Sequence, residues 1–348
     1  MSHAIILPIL LPLFFGALLL VGHGWSRDVK RGISLVGCLA LLPICLYLVW
    51  LAGAGQLQVY ALGNWAAPFG IMLLLDRFNA ALLLLTSLLA CFALVYACRG
   101  DDERGPNFHA LFQFQLLGIN GAFLTADLFN LFVFFEVLLA ASYGLMLHGS
   151  GRARVKAGLH YIAINLFASS LFLVGAAMLY GVTGTLNMAD LALKIPLVPE
   201  ADRGLLHAGA AILAMAFLAK AGIWPLNFWL VPAYASASAP VAALFAIMTK
   251  VGLYAVLRLW TLLFSGQAGA SAHFGGEWLV YGGLVTLAVA AVSILAAQRL
   301  ERMAALSILV SAGTLLAAVG FAQPALTGAA LFYLVNSTLA LCALFLLA

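Results

Sequence analysis

Apolar residues run along the whole chain in blocks of about 20, separated by short polar loops. A helix of that length crosses the ~30 Å hydrocarbon core of a bilayer. The blocks do not alternate residue by residue, as the strands of a membrane barrel do. The pattern predicts eleven spans, at 4–22, 32–52, 78–98, 108–124, 128–147, 157–181, 208–229, 239–263, 278–297, 303–322 and 325–348. The first block has no basic lead and no small-residue cleavage site, so it reads as a span rather than a signal peptide. The last block stops at LALCALFLLA with no polar anchor after it, and the expectation is a truncated product.

Composition agrees with this reading. The chain is 65% hydrophobic and 8% charged, with a mean hydropathy of +1.12, which excludes an ordinary soluble domain. The net charge of +4 forms no polybasic run, so nothing supports nucleic-acid binding. Lys and Arg instead gather in alternate loops: Arg27, Lys30 and Arg31 after span 1, Arg99 and Arg104 after span 3, Arg152, Arg154 and Lys156 after span 5, and Arg299 and Arg302 after span 9. The positive-inside rule places these odd loops in the cytoplasm and the N-terminus outside. Trp25, Trp50, Trp260 and Trp278 fall at span ends, as an interfacial aromatic belt requires. The five cysteines lie in spans without metal-like spacing and read as buried structural thiols.

Three charges interrupt the spans near their centres: Glu136, Lys220 and Lys250. An ionised group at bilayer depth costs roughly 2.5–3.5 kcal/mol even on the lenient insertion scale, and such groups mark ion or proton paths. Glu136 follows Asp127, which opens span 5, by nine residues, about 14 Å along a helix. Its neighbours Phe134, Phe135, Val137 and Leu138 offer no charge, so its partner must come from another helix. The bland alternative is a protonated carboxyl hydrogen-bonded across helices. Lys220, about twelve residues into span 7, has snorkelling as its alternative, and its mid-span position argues against that. Burial disfavours a charged lysine and a nearby carboxylate favours it, so a Lys220 whose pairing with Glu136 changes would bind and release a proton.

Gly222, Pro225 and Pro232 follow Lys220 and predict that the helix breaks there. Broken helices at membrane depth are tolerated where they line a cavity and are common at transport sites. Lys250, beside Thr249, lies at mid-depth in span 8. Arg258, nearer the end of that span, reads as snorkelling or meeting lipid phosphate, and Asp76–Arg77 as a surface pair. His160 near the start of span 6 is a candidate proton relay, as is Asp127. Asn120 and Asn165 read as interhelical hydrogen-bonding groups. Phosphate loops, metal clusters, haem motifs and dinucleotide fingerprints are missing from the sequence, so no cofactor is expected.

The segments FNLFVFFEVLLAASYGLM, FLAKAGIWPLNFWLVPAY and ALFAIMTKVGLYAVLR resemble the antiporter-like subunits shared by respiratory complex I and the Mrp-type cation/proton antiporters. The likeness covers essentially the whole chain and is densest over residues 108–260. It implies an all-α polytopic membrane fold of fourteen helices with two inverted five-helix repeats, each with a broken helix. On that plan residues 1–107 hold spans 1–3, residues 108–263 the first repeat, and residues 278–348 the start of the second. By the same likeness Glu136 is the coupling glutamate, Lys220 the pump lysine of the broken helix and Lys250 the connecting lysine.

Asn227 and Asn336 stand where complex I relatives commonly carry histidine, and MTKVGLYAV also resembles the Mrp-type D subunit more closely. The resemblance implies a subunit of a Na⁺ or K⁺/proton antiporter in a bacterial inner membrane, with other subunits, protons, a monovalent cation and lipid as partners. The runner-up is a proton-pumping membrane subunit of a redox complex, such as an NADH:quinone oxidoreductase or a membrane-bound hydrogenase. The blandest reading is an inactive fragment or a structural helix bundle.

Overall fold

A computed structural model describes residues 3–348. Among the described residues thirteen α-helices dominate: α1 (Leu7–Val21), α2 (Arg27–Gly53), α3 (Arg77–Ala97), α4 (Phe108–Leu124), α5 (Leu128–Leu147), α6 (Arg152–Thr183), α7 (Met188–Lys194), α8 (Glu200–Ala221), α9 (Leu230–Ser236), α10 (Ala239–Leu263), α11 (Gly276–Leu295), α12 (Leu300–Gly320) and α13 (Pro324–Leu347). Ten of the described helices are long and apolar enough to cross a membrane. The remaining expected span, the fourth at 108–124, is α4, which has 17 residues and is buried almost throughout. The chain is a multi-pass membrane protein, nearly all-helical.

The loops divide cleanly between the two ends of the bundle. Residues from after spans 3, 5, 7 and 9 line one opening together, so the odd loops share a face. At the opposite face the loop after span 2 folds into an antiparallel hairpin, β1 (Gln58–Ala61) with β2 (Met72–Leu75), which the hydropathy pattern did not announce. Leu73 of that hairpin bridges to Thr125, and Asp127 bridges to Asn187, tying the even loops to one another.

Helix α10 is the hub, packing on α3, α4, α8, α12 and α13. Apart from Lys250 and Arg258 its sequence is largely apolar or small on every side, which suits a helix with no lipid-facing surface, and its whole apolar window is buried. Gly252 permits the closest approach: a Cβ there would come within 3.1 Å of the Ala221 amide nitrogen and the Phe217 carbonyl on α8. The centre of α10 is thereby pressed against the end of α8.

Polar groups inside the bundle are mostly spent on backbone atoms. Pro12 cannot donate to the carbonyl of Pro8, four residues earlier. The Asn120 side chain on α4 supplies that bond instead, at 2.8 Å, so Asn120 joins helices as expected. Asn165 does not: its amide donates to the Tyr161 carbonyl of its own helix. Trp260, expected at the interface, is buried and donates to the Phe274 carbonyl at 2.9 Å.

Two further expectations are corrected at the even-loop end. Asp76 does not pair with Arg77 at the surface; its carboxylate accepts from Arg258 Nη1 at 2.6 Å. Arg258 therefore bridges α10 to the N-cap of α3 instead of snorkelling to lipid. Asp76 also accepts from the Asn79 amide, closing a capping box.

Candidate functional site

The helix break falls where the prolines and glycine predict it, with the first half ending earlier than the expected limit of residue 229. Helix α8 stops at Ala221, and Gly222 takes the left-handed conformation (φ +68°) that ends helices and favours glycine. The chain then turns through Ile223–Trp229 before α9 begins. Pro225 lies inside the break and Pro232 in the first turn of α9. The freed backbone groups are satisfied from outside the helix axis. The Trp224 amide donates to Thr286 Oγ1 on α11 at 3.0 Å, and the Trp229 indole donates to the Ala219 carbonyl at 3.2 Å. This bonding is what allows irregular backbone at membrane depth.

Lys220 is the penultimate residue of α8 and is 5% exposed. It sits at the negative end of the helix dipole, which favours a cation, and 5.0 Å from the centre of the Phe135 ring. Its ammonium donates to Ser169 Oγ on α6 at 2.9 Å. Ser169 in turn donates to Glu136 Oε1 on α5. One hydroxyl thus joins the two charged groups, in place of the direct ion pair that the sequence suggested. Glu136 is half-buried. Three helices meet at this cluster, and each contributes one polar atom.

Lys250 is fully buried in the middle of the unbroken α10. Its ammonium donates to Ser311 Oγ on α12 at 2.6 Å, and Ser311 lies 3.0 Å from the hydroxyl of Ser337 on α13. This second cluster points away from α5 and α6, toward the C-terminal helices. Between the lysines the polar contacts are sparse. Met248 Sδ, two residues from Lys250, accepts from Tyr161 at 3.6 Å and from Gln115 at 3.5 Å. Tyr161 also lies 2.6 Å from the Ser142 hydroxyl.

The remaining candidates stand apart from these clusters. Asp127 is the N-cap of α5 at the even-loop face, accepting from the Asn130 amide at 2.8 Å. Burial pushes its carboxyl above the usual range, against the pull of the Asn130 and Phe129 amides. His160 is exposed on α6, and its Nδ1 lies 2.9 Å from the Lys156 carbonyl of the same helix. Asn336 is exposed beside Ser337.

Sequence reasoning missed Ser169, Ser311 and Ser337. Ser169 and Ser170 are adjacent hydroxyls in the otherwise apolar run INLFASSLFLV, the one signal that was available. It also missed a polar cluster at the odd-loop face, where Cys98, Asp102 and His109 present ligand atoms within 4.8 Å of one another. The cysteines are all free, with Cys91 and Cys98 only half-buried. Arg31 already engages both Asp102 oxygens, at 2.6 and 2.8 Å, and His109 Nε2 lies 3.1 Å from Oδ2. These groups form an ion-paired joint between α2 and the start of α4, in which the guanidinium occupies both Asp102 oxygens. Burial opposes the ionised form of Asp102, but Arg31 and His109 outweigh it and hold the carboxyl below its ordinary range.

Comparison with known proteins follows the same lines. The family described as NADH:quinone oxidoreductase/Mrp antiporter, TM, matches residues 125–348. A Rhizobium meliloti protein named as the D subunit of a probable K(+)/H(+) antiporter is 54% identical over the whole of this chain, which spans 65% of that protein's length. The D subunit of the Na(+)/H(+) antiporter of Alkalihalophilus pseudofirmus is 37% identical over the whole chain and 70% of its own length. Among solved structures, a chain of the Mrp complex from Dietzia sp. DQ12-45-1b superposes with a TM-score of 0.90 at 29% identity, covering 99% of this chain and 64% of that one.

Proposed function

Because the chain belongs to the NADH:quinone oxidoreductase/Mrp antiporter family, we propose that it is part of the D subunit of a multisubunit monovalent cation/proton antiporter and carries the proton. The relatives named for K⁺/H⁺ and Na⁺/H⁺ antiport support this reading. The single observation that carries the mechanism is the Glu136–Ser169–Lys220 bridge at the end of a broken helix.

In this mechanism Lys220 holds its proton while Glu136 is ionised across Ser169, with the end of α8 adding negative potential. Loss of that pairing, through movement of α5 or protonation of Glu136, leaves the ammonium uncompensated in a dry site and releases its proton. Lys250 receives charge on the far side of the α8–α10 contact, and Ser311 and Ser337 extend its path toward α13. The serine hydroxyls both donate and accept, which is what a relay between titrating groups needs. The cation passes through the complete assembly, with partner subunits supplying the coupling.

Residues 108–263 form the first repeat of an inverted pair and residues 278–348 open the second. The basic odd-loop face is cytoplasmic and the N-terminus lies outside a bacterial inner membrane. The test uses everted vesicles carrying the complete assembly, with a pH-sensitive dye followed on addition of Na⁺ or K⁺ and NADH oxidation monitored alongside. Collapse of the pH gradient by one of the cations is the expected result and names the ion. Proton movement that ignores both cations and depends strictly on an electron donor would move the chain to the redox-pump class.

A further inference from the structure

The odd-loop opening is a cavity of about 650 Å³ whose charged lining consists of Arg104, Arg152, Arg154, Arg299, Asp101 and Glu301. The two carboxylates are spoken for: Asp101 pairs with Arg104 at 3.1 Å and Glu301 with Arg299 at 3.1 Å. Among the described residues Arg152 and Arg154 have no carboxylate partner. Arg154 is nevertheless fixed in place, donating to the Ser236 carbonyl at 2.9 Å and to the His148 carbonyl. The Arg154 guanidinium and the aliphatic stem of Arg104 both pack against Gly149.

Three helices begin at this cavity: α12 at Leu300, whose first turn carries Glu301, α6 at Arg152 and α10 at Ala239. α6 and α10 have no side-chain cap and no acidic residue in the first turn, so their first amides lack intrahelical and side-chain acceptors, except at Pro240, which has no N–H to satisfy. Ser238, which lines the cavity, is 6% exposed and its hydroxyl has no hydrogen-bond partner among the described residues. Donors and positive charge therefore converge on a space that holds few acceptors. Helix N-termini combined with guanidinium forks are the arrangement that binds tetrahedral oxyanions.

We propose that this cavity is a binding site for a phosphate-class anion, either an anionic lipid headgroup or free phosphate. The anion contacts Arg152, Arg154, the first turns of α6 and α10, and the Ser238 hydroxyl. Bound there it joins α6 to α10 and pins the end of α9, the short second half of the broken helix.

The test places a cysteine at the floor of the site, Ser238→Cys, in the complete assembly held in phosphatidylcholine nanodiscs, with unsubstituted protein as the control for native cysteines. An anionic (sulfonatoethyl) and a cationic (trimethylammonium-ethyl) methanethiosulfonate are compared. The field of the site makes the anionic reagent at least about tenfold faster. Inorganic phosphate slows that reaction if free phosphate is the ligand, and exchange of the lipid to phosphatidylglycerol slows it if a headgroup is. Arg152→Gln, which removes a side chain with no hydrogen bond of its own among the described residues, weakens both the preference and the protection, and Arg152→Gln/Arg154→Gln abolishes them. Equal rates for the two reagents, no reaction at all, or protection by neither phosphate nor phosphatidylglycerol overturns the proposal.

Discussion

Two buried lysines, in helices that touch, are housed in different ways. Lys220 ends a broken helix, with peptide carbonyls, an aromatic face and, through Ser169, the Glu136 carboxylate around it. Lys250 sits mid-way along a continuous helix, and its one hydrogen-bond partner among the described residues is the neutral hydroxyl of Ser311. Compensation of a buried charge is strong at the first and slight at the second. In the proposed mechanism the first is a resting place for a proton and the second a transit site. It also explains why the break lies beside Lys220: a helix end supplies the negative potential that an unbroken segment cannot.

The sharpest way to break this comparison is to remove the charges separately. Lys220→Ala and Glu136→Ala lower cation-driven proton exchange in everted vesicles by at least about tenfold, the range expected when a positioned proton donor or acceptor is lost. Lys250→Ala gives a smaller, severalfold loss. Equal losses at both lysines would remove the distinction between resting and transit sites.

Next in size is the hydroxyl. Ser169→Ala reduces exchange about three- to tenfold while Ser169→Thr, which keeps the hydroxyl, retains most of it. The same substitution at the exposed neighbour Ser170, which bonds only to the Leu166 carbonyl of its own helix, leaves exchange unchanged. If Ser170→Ala were as harmful as Ser169→Ala, the bridge would be incidental.

Two smaller effects concern the frame rather than the path. Asn120→Ala strands the Pro8 carbonyl in the bundle and destabilises the α1–α4 contact by about 1–3 kcal/mol, read as a lowered melting temperature of the detergent-solubilised assembly. At the odd-loop face, Asp102 has its carboxyl held below the ordinary range. Its contribution to stability is therefore full above the unfolded value of about 3.9 and is lost as pH falls through the lower folded value. Hydrogen-exchange protection factors at the α2–α4 joint, corrected for the intrinsic pH dependence of exchange, fall on acidification through that window, and Asp102→Asn lowers them at neutral pH.

The buried charges and the helix break were legible in the sequence because charge, glycine and proline are conspicuous in an apolar run. Glu136, Lys220 and Lys250 announced themselves in that way, and Gly222 with Pro225 announced the break. The serines did not, since a serine in a membrane helix most often bonds to its own backbone, as Ser170 does. Only the packing of α6 between α5 and α8 turns Ser169 toward both charges. The Asp76–Arg258 pair joins residues 182 positions apart, and no local pattern could have matched them. The β1–β2 hairpin escaped notice because its strands are short and lie in a loop that hydropathy treats as a single polar gap.

The most direct test of the central claim, that Glu136, Ser169 and Lys220 act as one unit, is a double-mutant cycle on exchange in everted vesicles. Groups that serve a single step are strongly non-additive. The account predicts that Glu136→Ala/Lys220→Ala is no worse than either single variant, within about twofold. Losses that multiply, or single variants that exchange normally, would contradict it.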